Sequence, residues 1–240
     1  MASSPFANLI SRHRRQELMD QPGLDFEEHV RALRGLGRIN ALSRSDALLW
    51  PAIVRLARGP GREPVRVLDI ASGGGDVPIA LAWRAARSRL EVQIDGCDLS
   101  PQAVQFARRQ ADARGVAARF FPLDALRDPL PTEYDVVCCS LFLHHLDTEE
   151  AITLLRRMAA AARRLVLVND LIRSRWGYVL ARVGCRLLTR SRIVHVDGPL
   201  SVAAAFTPDE ALGLAARAGL VHATVTRHWP QRFLLTWSRP

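Results

Sequence analysis

The chain of 240 residues contains no lysine, so all 33 of its basic residues are arginine. Set against 24 acidic residues, they give a formal net charge of +9. The arginines occur singly or in pairs along helix-like patterns, without a dense block that is interleaved with aromatic residues. Because nucleic-acid-binding surfaces concentrate basic and aromatic side chains, the pattern favours solvated helix faces, and nucleic acid is not expected as a partner.

Cysteine is scarce, and long apolar runs are missing. The four cysteines lack the CxxC spacing of metal or redox sites, and three fall in strand-like runs, so we expect reduced thiols in the core. No segment approaches the roughly 18 consecutive apolar residues of a membrane span. The first residues lack the apolar stretch and cleavage site of a secretory signal. We expect a cytoplasmic protein without a membrane span.

The sequence divides into a helical N-terminal segment and a longer alternating region. A glycine and proline cluster at 58–64 marks the boundary. We expect residues 1–60 to form helices that cover the substrate or cofactor, and residues 61–240 to form the main domain. The helical patterns of the first segment lie at 13–22, 25–40 and 45–57.

Beyond the boundary, strand-like and helical patterns alternate, and the strands are apolar on both faces. Such alternation is typical of a parallel sheet with helices on both faces. The last two strand patterns are joined by a short turn, which predicts an antiparallel hairpin. We predict an α/β fold with a Rossmann-like, seven-stranded, mostly parallel sheet that ends in this hairpin. The strand patterns are 65–71, 91–99, 118–124, 134–141, 164–171, 221–228 and 231–238.

Residues 171–206 interrupt the alternation. The segment is too apolar for a disordered linker and too long for a simple connection. We predict that it forms a cap over the active end of the sheet.

The first strand runs into a glycine-rich loop, VLDIASGGGDVPIAL, at residues 67–81. Asp69 ends this strand, Asp98 the second and Asp124 the third. Ligands of open parallel sheets bind beyond the carboxyl ends of the strands, so the three acids are placed to meet a nucleotide-like ligand. A glycine-rich turn alone is a weak signal, but the three acids and the terminal hairpin strengthen it.

This combination resembles the class I S-adenosylmethionine-dependent methyltransferases, and within them the small-molecule group that includes quinone-ring methylases. The resemblance covers about 65–170 and 207–238. Ala71 stands where the family usually has its first glycine. The resemblance implies that S-adenosylmethionine is the cofactor. It assigns the methionine moiety to Asp69, Ala71, Ser72, Gly73 and Gly75, the ribose to Asp98, the adenine to Leu99, Asp124 and Ala125, and a further cofactor contact to Ser140.

Two other classes fit less well. A dinucleotide oxidoreductase needs G-x-G-x-x-G spacing after its first strand, whereas the glycines here occupy 73–75 alone. A noncatalytic partner subunit would have no physical reason to keep three acids whose burial costs desolvation free energy.

The tip of the fourth strand reads CCSLFLHHLDTEE. Members of the family differ at this tip according to the methyl acceptor. The family's base-amine methylases carry an Asn-Pro-Pro-aromatic or Asp-Pro-Pro-aromatic run here, which is absent. Ser140 is a poor magnesium ligand, although Asn169 and Asp170 end the fifth strand. We expect adjacent histidines to point apart and predict no metal.

His144 and His145 remain as candidate catalytic residues. A neutral imidazole suits removal of a phenolic or enolic proton, and His145 is our first choice. The expected substrate is a small, phenolic or quinol-like apolar molecule that is methylated on oxygen. The alternatives are carbon or nitrogen methylation of a small molecule, or an RNA methyltransferase. Predicted substrate-binding residues are Leu141, Phe142, Trp176, Tyr178 and Asp197, the last of which could instead be a hydrogen-bonding loop residue.

Overall fold

Seven strands form a single sheet in the order β3-β2-β1-β4-β5-β7-β6. The computed structural model describes residues 9–15, 17–20, 25–59 and 63–240. β1 to β5 pair in parallel, and β7 pairs antiparallel with β5 and β6, which confirms the predicted sheet and its terminal hairpin. The strands are β1 (Val65–Ile70), β2 (Val92–Asp98), β3 (Ala118–Pro122), β4 (Val136–Ser140), β5 (Leu165–Leu171), β6 (Thr224–His228) and β7 (Arg232–Ser238).

Helices cover both faces of the sheet, and the apolar core lies between them and the strands. No helix among the described residues is both long and apolar enough to cross a bilayer. The helices are α1 (Phe26–Ser43), α2 (Ser45–Ala57), α3 (Asp76–Ser88), α4 (Pro101–Ala113), α5 (Thr148–Ala161), α6 (Arg175–Leu188), α7 (Arg192–Ala204) and α8 (Pro208–Arg217), with 3-10 turns at Leu18–Asp20 and Leu143–His145.

The register of the central strands brings their carboxyl ends to one edge. Ile70 of β1 lies beside Cys139 of β4, and Ser140 lies beside Asn169 of β5. The loops that follow β1, β4 and β5 therefore meet at this edge, where ligands of such sheets bind.

Side-chain caps begin α5 and α8. Asp147 accepts the backbone N–H of Glu150 at 2.8 Å, and the Glu150 carboxylate accepts that of Asp147 at 2.7 Å. Thr207 and Glu210 form the same reciprocal pair before α8. Both helix starts are recognisable in the sequence because this box uses residues three apart.

The helix predicted over 13–22 is wrong where the structure describes it. Residues 13–15 are not helical, and a single 3-10 turn occupies Leu18–Asp20; residues 16, 21 and 22 lie outside the described part, as do 60–62 of the predicted boundary. Tertiary hydrogen bonds replace helical ones, because His13 donates its backbone N–H to the Ala203 carbonyl at 3.1 Å. Residues 171–206 contain α6 and α7, which pack on each other and on α1; their role as a cap stays a prediction.

Leu155→Ala tests the main core beneath α5. Leu155 is fully buried there, so truncation should lower the free energy of unfolding by about 2–5 kcal/mol. Urea denaturation measures the change. Leu212→Ala on α8 is the matched control because Leu212 is 43% exposed, and it should lose less than about 1 kcal/mol. Equal losses in the two variants would contradict this assignment of the core.

Candidate functional site

The loop between β1 and α3 has a backbone that depends on its glycines. Gly73 and Gly75 have φ of +53° and +78°, in the left-handed region that glycine adopts readily. A Cβ at Gly75 would lie 2.8 Å from that of Ala107, whereas a Cβ at Gly73 would meet nothing within 4 Å. Packing therefore requires Gly75, while the backbone at Gly73 borders open space that a ligand can enter.

Asp98 fixes this loop from the neighbouring strand. One of its carboxylate oxygens accepts the Gly73 N–H at 2.8 Å, and the other accepts the Ser100 N–H at 2.9 Å. Nearby, the Ser72 hydroxyl is buried and has no hydrogen-bond partner among the described residues. A buried hydroxyl without a partner is costly. The open space at Gly73 and the polar Ser72 and Asp98 side chains fit the polar part of a nucleotide-like cofactor.

Asp69 lies beneath the loop and is 2% exposed. Burial raises the pKa of its carboxyl to about 7, against a hydrogen bond that the Cys138 thiol donates at 3.5 Å. Since the negative charge of Asp69 is desolvated, a cationic ligand above it would favour the ionised form. An ammonium or sulfonium group supplies such a charge.

The next two strand ends offer an apolar and a polar surface. Leu99, directly after β2, is 69% exposed and could cover a flat ring. Asp124 follows β3 and accepts the backbone N–H of Leu126 at 2.9 Å, which orders the turn that contains the buried Ala125. The roles of these residues in binding adenine stay predictions.

His144 is held by Asp170. Its Nδ1 lies 2.7 Å from one carboxylate oxygen, its backbone N–H donates to the other at 3.0 Å, and both residues are buried. Burial alone would raise the pKa of Asp170, but the charge and hydrogen bonds from His144 hold it below the ordinary value. An ionised carboxylate only accepts, so Nδ1 carries the hydrogen, and Nε2 faces the site.

Glu17, from the N-terminal segment, faces both imidazoles. Its carboxylate lies 3.7 Å from Nε2 of His144 and 3.9 Å from Nε2 of His145, and it also accepts a hydrogen bond from the Ser201 hydroxyl at 2.5 Å. His145 is the more accessible imidazole, with a side chain that is 25% exposed. A carboxylate and two imidazoles therefore face one another here, at distances slightly longer than a hydrogen bond.

The expectation that the adjacent histidines point apart is wrong. Their ring centroids are 4.3 Å apart, because both rings turn towards Glu17. One ligand atom from each of the three residues lies within 4.8 Å of the others, so the set could also hold a divalent ion. Asp170 behind His144 resembles the outer-sphere carboxylate that orients many metal-bound histidines.

Two arginines of the N-terminal segment bind the loop that carries His144 and His145. Arg12 donates to the backbone carbonyls of His144 and Leu146 at 2.8 and 2.5 Å, and its guanidinium lies 3.8 Å from the Phe206 ring centroid. Desolvation lowers the pKa of Arg12 to about 10, which leaves it charged at neutral pH. Arg14 donates to the His145 carbonyl at 2.7 Å.

The predicted substrate-binding residues lie at different depths. Leu141 and Phe142 follow β4 beside the histidines, and Ser140 at the end of β4 accepts from the Asn169 amide at 3.4 Å. Asp197 lies within α7, and its carboxylate accepts the backbone N–H groups of Leu18 and Met19 at 2.9 and 3.1 Å. Tyr178 is half-buried on α6, and Trp176 on the same helix is 74% exposed.

Sequence reasoning missed Glu17, Arg12 and Arg14 as parts of this site. Each contacts residues more than a hundred positions away in the chain, so no local pattern marks them. The Asn169–Asp170 pair was recognisable at the end of a strand, but only as half of a metal site. Its observed contact with His144 follows from the β4–β5 pairing.

The chain is similar in sequence to known methyltransferases. Residues 67–164 match a family model described as a methyltransferase domain. A demethylmenaquinone methyltransferase from Thermus thermophilus is 37% identical over 110 residues, which are 45% of this chain and 48% of that protein. A ubiquinone biosynthesis O-methyltransferase from Bordetella parapertussis is 31% identical over 159 residues, which are 65% of this chain and 61% of that protein. The matched part thus spans less than two thirds of either relative.

Solved structures share the fold. The S-adenosylmethionine-dependent methyltransferase SibL aligns over 100% of this chain and 71% of its own, with a TM-score of 0.67 and 21% identity. Residues 67–164 thus form a methyltransferase domain, and the fold is that of an S-adenosylmethionine-dependent methyltransferase. S-adenosylmethionine is the cofactor of this methyltransferase domain, and the glycine loop with Ser72, Asp69 and Asp98 has the polar groups and the open space that such a cofactor needs.

Asp69→Asn tests the buried acid of the cofactor-free methyltransferase domain. With its pKa raised to about 7 in the fold and about 3.9 in the unfolded chain, Asp69 favours the folded state below the unfolded value. That contribution is lost as the pH rises through about 7. Wild-type unfolding free energy should therefore fall more steeply between these values than that of Asp69→Asn. Urea titrations across this pH range measure it, with the exposed Asp209→Asn as control. Parallel curves for wild type and Asp69→Asn would refute the assignment.

Proposed function

We propose that the protein transfers the methyl group of S-adenosylmethionine to a hydroxyl of a small phenolic or quinol-like apolar molecule. The proposal rests on one observation above all: two imidazoles, one of them oriented by the buried Asp170, lie in the loop that follows β4. When bound, the cofactor supplies an already activated methyl group. The chain's own task is to align the acceptor and remove its proton.

The proton acceptor we propose is His145. A phenol with a pKa near 10 is mostly protonated at neutral pH, so a base within about 3 Å favours the transfer. The His145 side chain is 25% exposed, whereas that of His144 is 4% exposed and fixed by Asp170. His144 and Glu17 lie next to His145 and are placed to stabilise the proton that it receives.

The relatives support a quinone-related acceptor. The Thermus and Bordetella proteins are named for methylation in menaquinone and ubiquinone chemistry, and a quinol presents the hydroxyl that this site is suited to deprotonate. Phe142, 6.2 Å from His145 between ring centroids, gives the site an apolar flank for such a ring. Carbon methylation is the second candidate, because the name of the Thermus relative does not specify oxygen.

Label transfer tests the proposed reaction. The protein is incubated with methyl-deuterated S-adenosylmethionine and a panel of catechols and hydroquinones, and mass spectrometry with NMR locates the label. We expect it on a phenolic oxygen. Label on a ring carbon would support the second candidate, whereas transfer to RNA in a parallel incubation, with none to any compound of the panel, would contradict a small-molecule acceptor.

His145→Ala should lower turnover on an accepted catechol by about 100-fold to 10,000-fold and leave the affinity for S-adenosylhomocysteine nearly unchanged. Stopped-time assays and calorimetry measure the two quantities. His228→Ala on β6 serves as the histidine control and should keep full turnover. The wild-type rate should rise with pH where an imidazole loses its proton.

Two outcomes would count against His145 as the base. One is full turnover by His145→Ala with an unchanged pH profile. The other is loss of wild-type activity on chelation that zinc or magnesium restores, because Glu17, His144 and His145 would then act as metal ligands.

Asp98→Ala tests the cofactor site. The variant removes the acceptor of the Gly73 N–H and, in the proposal, that of the ribose hydroxyls. Charge-assisted hydrogen bonds of this kind contribute about 1.5–3 kcal/mol, so calorimetry should show S-adenosylhomocysteine binding weaker by roughly 10-fold to 150-fold. Asp112→Ala on the exposed side of α4 is the control. Unchanged affinity in Asp98→Ala would exclude the assigned role.

A further inference from the structure

Helix α6 carries an apolar stripe on its outer surface. Its members recur three or four residues apart, which places them on one face of the helix. The opposite face contains the buried Gly177 and Cys185, which pack against α7. The stripe consists of Trp176, Val179, Leu180, Val183 and Leu187, which are between 36% and 79% exposed.

Positive charge flanks the stripe. No acidic residue occurs from 171 to 196, so nothing in this stretch offsets its arginines. Arg173 is buried and paired with Glu210, and the other five are exposed. These five are Arg175, Arg182, Arg186, Arg190 and Arg192.

We propose that this face of α6 docks on the surface of an anionic lipid bilayer. A helix with apolar side chains on one face and arginines beside them lies in the plane of the membrane interface, and arginine side chains extend towards the headgroups while their stems stay in apolar surroundings. Trp176, at the first turn of α6, is of the type enriched at that interface. α6 is too short to cross the bilayer, so the contact is peripheral.

A second copy of the chain fits this face less well. A twofold contact through α6 would bring the arginines of both copies together, and like charges in a closing interface are unfavourable. Anionic headgroups instead present negative charge to the exposed arginines on and next to α6. The positive charge of the α6 face therefore favours an anionic bilayer over a second copy of the chain as its partner.

Docking through α6 would bring the site close to the lipid. α6 follows β5 directly, and Ser174 at its N-cap donates to Gln231 beside the end of that strand. The edge of the sheet with Asp170 and His144 thus lies at the base of the docking helix. The inference does not depend on which acceptor is methylated.

Vesicle sedimentation with the full chain tests the proposal. Wild-type protein should sediment with vesicles of equal parts phosphatidylcholine and phosphatidylglycerol, and much less with phosphatidylcholine alone or in high salt. Trp176→Ala/Leu187→Ala should weaken the partition by roughly 10-fold or more. Arg182→Gln/Arg186→Gln should weaken it by roughly 5-fold for each charge removed.

The control variant is Trp83→Ala/Val221→Ala, which truncates exposed apolar residues outside α6 and should sediment like wild type. Thermal melts followed by circular dichroism confirm that each variant is folded; if the Trp176 variant is not, the arginine variant decides. The proposal is overturned if wild type stays in the supernatant with anionic vesicles, or if the control loses as much binding as the α6 variants. It is also overturned if wild-type protein without lipid is a dimer and the α6 variants are monomers.

Discussion

The buried carboxylate of Asp170 organises the active end of this protein. It lies at the end of β5 and accepts the backbone N–H groups of His144 and Leu171 and the Nδ1 hydrogen of His144. A charge in the interior is costly unless such donors surround it. The loop after β4 must therefore stay in the conformation that supplies them. Arg232, buried nearby on β7, adds a favourable charge.

The positions of Arg12, Arg14 and Glu17 in the N-terminal segment depend on the loop after β4. Once Asp170 has fixed the backbone of His144, the carbonyls of residues 144–146 point outwards and are bound by Arg12 and Arg14. The same segment carries Glu17 to the two imidazoles. The segment that binds this loop through Arg12 and Arg14 therefore also supplies Glu17, the third polar group beside the histidines.

Local patterns were enough to predict the sheet, the glycine loop and the capping boxes. Each is encoded within a few residues: alternating strand and helix periods, a strand that runs into three glycines, and acids or hydroxyls three positions before a glutamate. The terminal hairpin followed from two strands separated by a short turn. The cofactor class followed from the resemblance of the glycine loop and of Asp69, Asp98 and Asp124 to the S-adenosylmethionine-dependent methyltransferases.

Contacts distant in sequence could not be predicted. The pattern at 13–22 is compatible with a helix, but His13 and Arg12 bind α7 and the histidine loop, and those bonds outweigh local propensity. Glu17 carries no signal of its own. Trp176 looks like a pocket residue by type, yet its exposure depends on how α6 packs against α7 and α1, which the segment's own sequence does not specify.

The tautomer of His144 tests this account most directly. Long-range proton–nitrogen NMR of the histidine side chains distinguishes a protonated Nδ1 from a protonated Nε2. With Asp170 ionised and accepting, the account predicts that the neutral imidazole of His144 carries its hydrogen on Nδ1, and that Asp170→Asn abolishes this preference. A His144 with Nε2 protonated and Nδ1 unprotonated in the folded wild-type protein would contradict it.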